Sequence, residues 1–296
     1  MKIAVILLNY NSSKDCKKCL SFLKKQEGAE LDVIIVDNAS KEEEKEELRK
    51  LESWGVGELG AIKNITIIES DQNRGYNAGN NIGLKFAAER GYKYALISNP
   101  DMEFPDPLYL EKLIKEIKKR NEVVVVASDI VTPEGIHQNP MLPDGDWKSS
   151  FGWIKGLFKK SKKGESYDFI GDFKKSGYCS KVSGCALMVD LDFIKKIGFF
   201  DEYPFLYCEE AILAKQVERS GKKMYYIANT YAVHRHVKAE KGDPRPRFHQ
   251  WNRSRQYYIR EYSNYPWYGK TLASLSMFLY TNFLIIGATA KRCLKK

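Results

Sequence analysis

Cysteine is sparse, six in 296 residues, and no pattern in the chain turns it into a metal or redox centre. Cys16 and Cys19 form a Cys-x-x-Cys pair, but it has no further ligands at zinc spacing and no thioredoxin-like surroundings. Both are therefore expected to be ordinary helix residues, and the cysteines suit a reducing compartment. There is no zinc-finger spacing and no RNP-like motif, which sets nucleic acid aside as a partner. No internal repeat is visible, which excludes a solenoid. The opening Met-Lys-Ile-Ala-Val-Ile-Leu-Leu-Asn-Tyr has a strand pattern that runs into polar residues, and it does not resemble a signal peptide. The expectation is a cytoplasmic protein.

Basic residues outnumber acidic ones, 48 to 38, for a formal net charge of +10. They gather in 148–175 and at Lys291, Arg292, Lys295 and Lys296. An anionic membrane surface or a phosphorylated substrate fits that distribution better than nucleic acid does. Hydrophobic residues make up 43%, enough for a sizeable core.

Apolar runs at 2–9, 31–37, 64–69 and 93–98 predict strands covered on both faces. Helical patterns at 13–26, 40–52 and 77–90 lie between them, with Ser12, Ser13 and Ser40 as caps and Gly91 as a stop. This alternation predicts a mostly parallel, Rossmann-like α/β sheet flanked by helices. Further strands are expected at 122–130, 181–190 and 223–231, and a helix at 207–220. A polar, basic insertion occupies 131–178, and two helices are expected at 248–262 and 266–290. One domain would end near residue 240, with a helical extension over 241–296.

In such sheets ligands collect at the carboxyl ends of the strands. Asn9 and Asn11 follow the first strand, and Asp37 and Asn38 the second. Asp37 either accepts hydrogen bonds from a nucleoside or caps the next helix. The loop after the third strand holds Asn73, Arg74 and Asn77, with Gly75, Gly79 and Gly83 at four-residue spacing. Glycines so spaced allow close approach of a ligand or of another element. Arg74 and the amides suit a diphosphate or a sugar. The loop is neither a dinucleotide fingerprint nor a Walker loop. Asn99 and Asp101 follow the fourth strand, where a hard oxygen ligand suits Mg2+ or Mn2+ carried with substrate phosphates. Glu209 and Glu210 open a later helix, either as helix-dipole partners or as a general base. His234 follows another strand and is a candidate ligand.

Together these stretches resemble family 2 glycosyltransferases, inverting enzymes of the GT-A fold, and within them the rhamnosyltransferase-like branch of bacterial cell-surface polysaccharide synthesis. The resemblance runs through Val-Ile-Leu-Leu-Asn-Tyr-Asn (5–11), Ile-Ile-Val-Asp-Asn-Ala-Ser (34–40), Asn-Arg-Gly-Tyr-Asn-Ala-Gly-Asn-Asn (73–81) and Asn-Pro-Asp (99–101). It continues through Ser-Gly-Cys-Ala-Leu-Met-Val (183–189), Phe-Leu-Tyr-Cys-Glu-Glu (205–210) and Val-His-Arg-His (233–236). It implies a UDP- or dTDP-linked sugar donor and a glycan or polyprenyl-phosphate-linked acceptor. It further implies that Asp37 contacts the base, that Asn9 and the loop after it line the nucleotide, and that Asp101 holds the metal. Glu210 would be the base that deprotonates the acceptor, and His234 would sit near the diphosphate and metal. Two departures stand out. The family's metal motif often reads Asp-x-Asp, and Asn99 takes its first place here. Its Glu-Asp pair is Glu209-Glu210 here, so either acid is a candidate for the base.

Trp147, Phe151, Ile154 and Phe158 recur at helical spacing among lysines, which fits either a helix lying in a membrane interface or a basic surface loop with a few core aromatics. With 266–290 such a helix would dock the protein on the inner face of the cell membrane. The competing readings are a nucleotidyltransferase that makes nucleotide sugars and a catalytically inactive nucleotide- or carbohydrate-binding protein.

Overall fold

The fold is that of a computed structural model, which describes residues 2–52, 60–158, 170–235 and 242–293. The first half alternates as expected: β1 (Lys2–Asn9), α1 (Ser13–Leu23), β2 (Glu30–Asp37), α2 (Glu42–Glu52), β3 (Ile62–Glu69), α3 (Tyr76–Glu89) and β4 (Tyr94–Ser98). These strands run parallel in the order β3-β2-β1-β4. Their register brings Asn9 opposite Asp37 and Leu7 opposite Ser98, so the polar strand ends share one rim. Alternation along β1 feeds two cores. Ile3, Val5 and Leu7 pack under α1, whereas Ala4 and Ile6 pack with Leu84 and Ala87 of α3. Cys16 and Cys19 are fully buried in the first core, and burial pushes both thiols up. They are packing residues, as their spacing implied.

The glycines of α3 are explained by packing and not by a ligand. A Cβ on Gly79 would lie 2.5 Å from Leu8 Cδ1, and one on Gly83 would lie 2.7 Å from Ile6 Cγ2. Gly75 has φ 84°, and a Cβ there would lie 2.2 Å from the Phe205 carbonyl oxygen.

Beyond β4 the sheet becomes mixed. β5 (Met102–Glu103) leads to α4 (Tyr109–Lys119) and β6 (Val123–Val131). No helix was expected at α4, although Leu110, Leu113, Ile114 and Ile117 are its buried stripe. β8 (Ala186–Asp190) is antiparallel to both β4 and β6, and α6 (Leu191–Lys196) follows it. α7 (Glu209–Arg219) precedes the long β9 (Lys223–His234), which runs parallel to β6 and antiparallel to β5 and to β7 (Gly177–Cys179).

Of the two readings of the insertion, its aromatics follow the one in which they pack on protein. A 3₁₀ turn (Trp147–Phe151) and the short α5 (Gly152–Phe158) pack on the carboxy-terminal helix. Trp147 meets Tyr268 edge-on at 6.0 Å, and Trp153 stacks on Tyr280 at 5.3 Å while donating to Ser276 Oγ at 2.9 Å. The tryptophans therefore cover protein. The lysines at 159–163 fall outside the described residues.

The two carboxy-terminal helices are α8 (Arg245–Tyr257), prolonged by a π-helical turn (Tyr258–Tyr262), and α9 (Trp267–Cys293). Tyr258, Ile259, Ala273 and Met277 form a third core with Ala211 and Ile212 of α7. The opposite face of α9 leaves Trp267, Leu275, Phe278, Leu279, Phe283 and Ile286 exposed. By length and composition α9 could cross a membrane.

Candidate active site

The rim at β1 and β2 is a closed network. Asn9 donates from Nδ2 to Asp37 Oδ1 at 2.8 Å and to Ser40 Oγ at 3.1 Å. Its Oδ1 accepts from the Ser12 hydroxyl at 2.9 Å. Asp37 takes a second bond on Oδ2 from the Ser40 amide at 3.0 Å. Asn9 and Asp37 are both 0% exposed. Asp37 therefore caps and braces the loop between β2 and α2. Asn11 lies at the surface with φ 53°, and its Oδ1 accepts from the Lys41 amide.

Asn38 links this rim to the next loop. It donates to Asn73 Oδ1 at 3.0 Å and to the Gly75 carbonyl at 3.1 Å, and accepts from the Arg74 amide at 3.0 Å. Arg74 itself pairs with Glu202 at 3.0 Å, and Asn77 donates to the Asp201 carbonyl at 2.7 Å. Asn38 thus ties the β2 end to the 73–77 loop, while the side chains of Arg74 and Asn77 hold that loop against the 199–207 segment. Substitution of Asn9 by Ala would leave one oxygen of a buried carboxylate without its donor. The expected cost is about 2–3 kcal/mol, read as a drop in melting temperature; an unchanged melting temperature would overturn the bracing role.

Asp101 and His234 meet because Met102 pairs with His234 across β5 and β9. Asp101 Oδ2 lies 3.3 Å from His234 Nε2, and Asp101 Oδ1 is buried without a partner among the described residues. On the far side of the ring, Nδ1 lies 2.9 Å from Gln138 Oε1 and 3.6 Å from Cys185 Sγ. Burial disfavours the charged imidazole, but the bond to Asp101 and the contact with Cys185 outweigh it and raise its pKa to about 10. Asn99 does not reach this pair with a side-chain bond; its amide donates to the Cys185 carbonyl at 2.8 Å.

Glu209 and Glu210 open α7 after two residues of positive φ, Tyr207 (75°) and Cys208 (67°). A strained entry of this kind persists only where surrounding contacts hold it. Glu210 Oε1 lies 3.4 Å from the Gly184 amide. Tyr76 fixes the same loop by donating to the Gly184 carbonyl at 2.5 Å. Glu209 Oε1 is buried without a partner among the described residues, and burial first, then the Glu210 charge, raises its pKa to about 7.

The loop 183–185 is thus the junction of the site: Gly184 touches the acid pair, and Cys185 touches His234 beside Asp101. Tyr76, Gln138 and Cys185 were missed as site residues by the sequence reading. The Ser-Gly-Cys stretch marked Cys185, but Gln138 lies in an insertion without any motif. Among the described residues, no three His, Cys, Asp or Glu side chains gather to hold a metal. One carboxylate with an orphaned oxygen beside one imidazole still suits Mg2+ or Mn2+, which take further oxygens from water and substrate phosphates.

A parallel sheet that turns mixed beyond β4, flanked by helices, is the architecture of the GT-A fold. Residues 4–188 match glycosyl transferase family 2, and the chain belongs to that family. It is 24% identical over 234 residues to the low-salt glycan biosynthesis hexosyltransferase Agl10 of Haloferax volcanii, a stretch covering 78% of this chain and 66% of that protein. The match therefore spans just under two thirds of that relative. In fold the chain is similar to S. aureus TarS 1–349, with TM-score 0.56 and 15% identity over 96% of this chain and 72% of the other. It is also similar to the mannosyltransferase PcManGT from Pyrobaculum calidifontis, solved with GDP-Man and Mn2+. There the TM-score is 0.57 and the identity 14%, over 97% of this chain and 73% of the other.

Proposed function

We propose that the chain transfers a hexosyl group, rhamnose included, from a nucleoside diphosphate sugar to an acceptor hydroxyl, with inversion at the anomeric carbon. The observation that carries this reading is the 183–185 loop, which ties Glu210 to the Asp101–His234 pair. Glu210 removes the proton of the acceptor hydroxyl as its oxygen attacks the anomeric carbon. The bond from that carbon to the diphosphate oxygen breaks in the same displacement, and the nucleoside diphosphate leaves. A single carboxylate acting as base suffices for one inverting displacement. Asp101 and His234 would hold a divalent cation, which when bound offsets the charge of the leaving diphosphate. Asn9, Asp37 and Asn38 keep the rim in shape, while Asn11, Asn73 and Asn99 stand along it as donor-side candidates.

The acceptor in this reading is a glycan or a polyprenyl-phosphate-linked glycan of cell-surface polysaccharide synthesis. The exposed apolar face of α9 and the basic Lys291 and Arg292 at its end support docking on the inner face of an anionic membrane. UDP-, dTDP- and GDP-linked sugars, each incubated with and without Mn2+ beside anionic vesicles, form the test. At least one donor should be consumed in a Mn2+-dependent way, with the chain sedimenting with the vesicles. No turnover of any donor would sink the transferase reading, and a chain left in the supernatant would sink the membrane part.

A further inference from the structure

A groove of about 440 Å³ opens between α8 and α9, beside the segment that leads into Glu209 and Glu210. Tyr207, Arg247, Phe248, Trp251, Tyr280 and Leu284 line it. Its walls are fixed relative to the acids. Ser254 Oγ donates to the Leu206 carbonyl at 2.7 Å, which pins α8 to that segment. Gln256 Nε2 donates to the Ser274 carbonyl at 2.8 Å, which pins α8 to α9. An aromatic track continues outward from the groove. Trp251 meets Tyr280 edge-on at 6.0 Å, Tyr280 stacks on Trp153 at 5.3 Å, and Trp153 lies 6.1 Å from Phe283. Phe283 is 49% exposed and belongs to the apolar outer face of α9.

The lining chooses between two occupants. A sugar stacked on these rings would need partners for its ring of hydroxyls, which carboxylates and carboxamides usually supply. Among the described residues its lining carries no carboxylate or carboxamide. A hydrocarbon chain needs none, and the volume lies in the range of about 300–1,000 Å³ found for ligand sites. Arg247 is the one charged group in the lining among the described residues. Its neighbour Arg245 is clamped by Asp243, which Arg292 shares, but Arg247 enters no ion pair among the described residues. A free guanidinium fork at the edge of an apolar groove matches a phosphate.

We propose that this groove is the acceptor site, and that it takes an isoprenoid chain bearing a phosphate. The chain lies along Phe248, Trp251, Tyr280 and Leu284 toward the outer face of α9. The phosphate pairs with Arg247, and the group to be glycosylated passes Tyr207 toward Glu210. The assignment rests on the transferase reading above, whose acceptor it makes specific.

Geranylgeranyl phosphate serves as the probe for the purified full chain, with geranylgeraniol and inorganic phosphate as the other arms, by calorimetry. The phosphate ester should bind saturably, the alcohol about tenfold or more weakly, and inorganic phosphate not measurably. Arg247→Ala should cost the ester about tenfold and leave the alcohol unchanged; Arg247→Lys should recover part of the loss. Phe248→Ala should weaken both lipids. Because Arg247 is exposed, its variants test the idea even if Phe248→Ala fails to fold, which a thermal melt would report. Equal binding of ester and alcohol, or an Arg247→Ala variant that binds the ester like wild type, would overturn the proposal. Transfer to a soluble oligosaccharide with no binding of the ester would sink this groove assignment while the transferase reading stood. Ester binding with no turnover of any donor would do the reverse.

Discussion

Glu210→Gln is expected to lower turnover by about 10²–10⁴-fold with donor affinity little changed, the signature of a lost general base. Glu209→Gln is expected to behave differently. Glu209 has a buried oxygen without a partner among the described residues and a pKa raised to about 7 by burial and by its neighbour. In the unfolded chain it titrates near the ordinary glutamate value of about 4.3. The folded protein therefore binds the proton more tightly. That contribution to stability is fully present below about pH 4, and it is lost as pH rises through about 7. A glutamine cannot ionise, so the variant escapes the loss. At pH 8 it should be about 1–3 kcal/mol more stable than wild type, with the gap closing toward pH 4. Its turnover should fall less than tenfold. Steady-state kinetics on both variants, with thermal melts at pH 4, 6 and 8, separate the roles. If Glu209→Gln takes the large rate loss, the base is Glu209 and the two assignments exchange.

Most of the parallel half of the fold was legible because buried strands between capped helices leave a strong local pattern. β1 and β2 are apolar on both faces, and each ends in a polar residue that the register then lines up. α4 escaped because its stripe of Leu110, Leu113, Ile114 and Ile117 is interleaved with lysines and acids, and no cap motif announces it. The insertion left two readings open for a different reason. Trp147, Phe151 and Ile154 do recur at helical spacing, but spacing cannot tell lipid from protein as the partner. Only the fold shows that α9 takes the tryptophans.

At the site, residue types were legible and orientation was not. An Asp after a strand reads the same whether it faces a ligand or caps a helix, and Asp37 turned inward. The α3 glycines read the same whether they admit a ligand or a strand, and Leu8 and Ile6 fill the space at Gly79 and Gly83. Contacts between distant segments were invisible by construction. Gln138 behind His234, and Gly184 against Glu210, are brought together only by the antiparallel strands of the second half.

Asp101→Asn is expected to abolish the stimulation of transfer by Mn2+ and to lower kcat/KM by about 10²–10³-fold, the usual scale for one preorganised electrostatic partner of a transition state. The sequence offers a single carboxylate here, since Asn99 replaces its companion; its backbone amide donates to the Cys185 carbonyl. A site of one carboxylate and one imidazole holds Mg2+ or Mn2+ weakly until a diphosphate supplies further oxygens. The apparent affinity for Mn2+ should therefore rise with donor concentration, and chelation should silence the wild type reversibly. Stability should also fall in the metal-free protein. Asp101 Oδ2 faces His234 Nε2 at 3.3 Å in a largely buried pair, and an amide removes the charge that balances the imidazole, so the variant should melt lower than wild type without metal. It should in addition fail to gain the stabilisation that Mn2+ with a nucleoside diphosphate gives the wild type. That missing gain distinguishes a ligand from a structural aspartate, whose loss would leave the stabilisation by Mn2+ and nucleotide in place. An Asp101→Asn enzyme that kept its Mn2+ response would place the cation elsewhere on the rim.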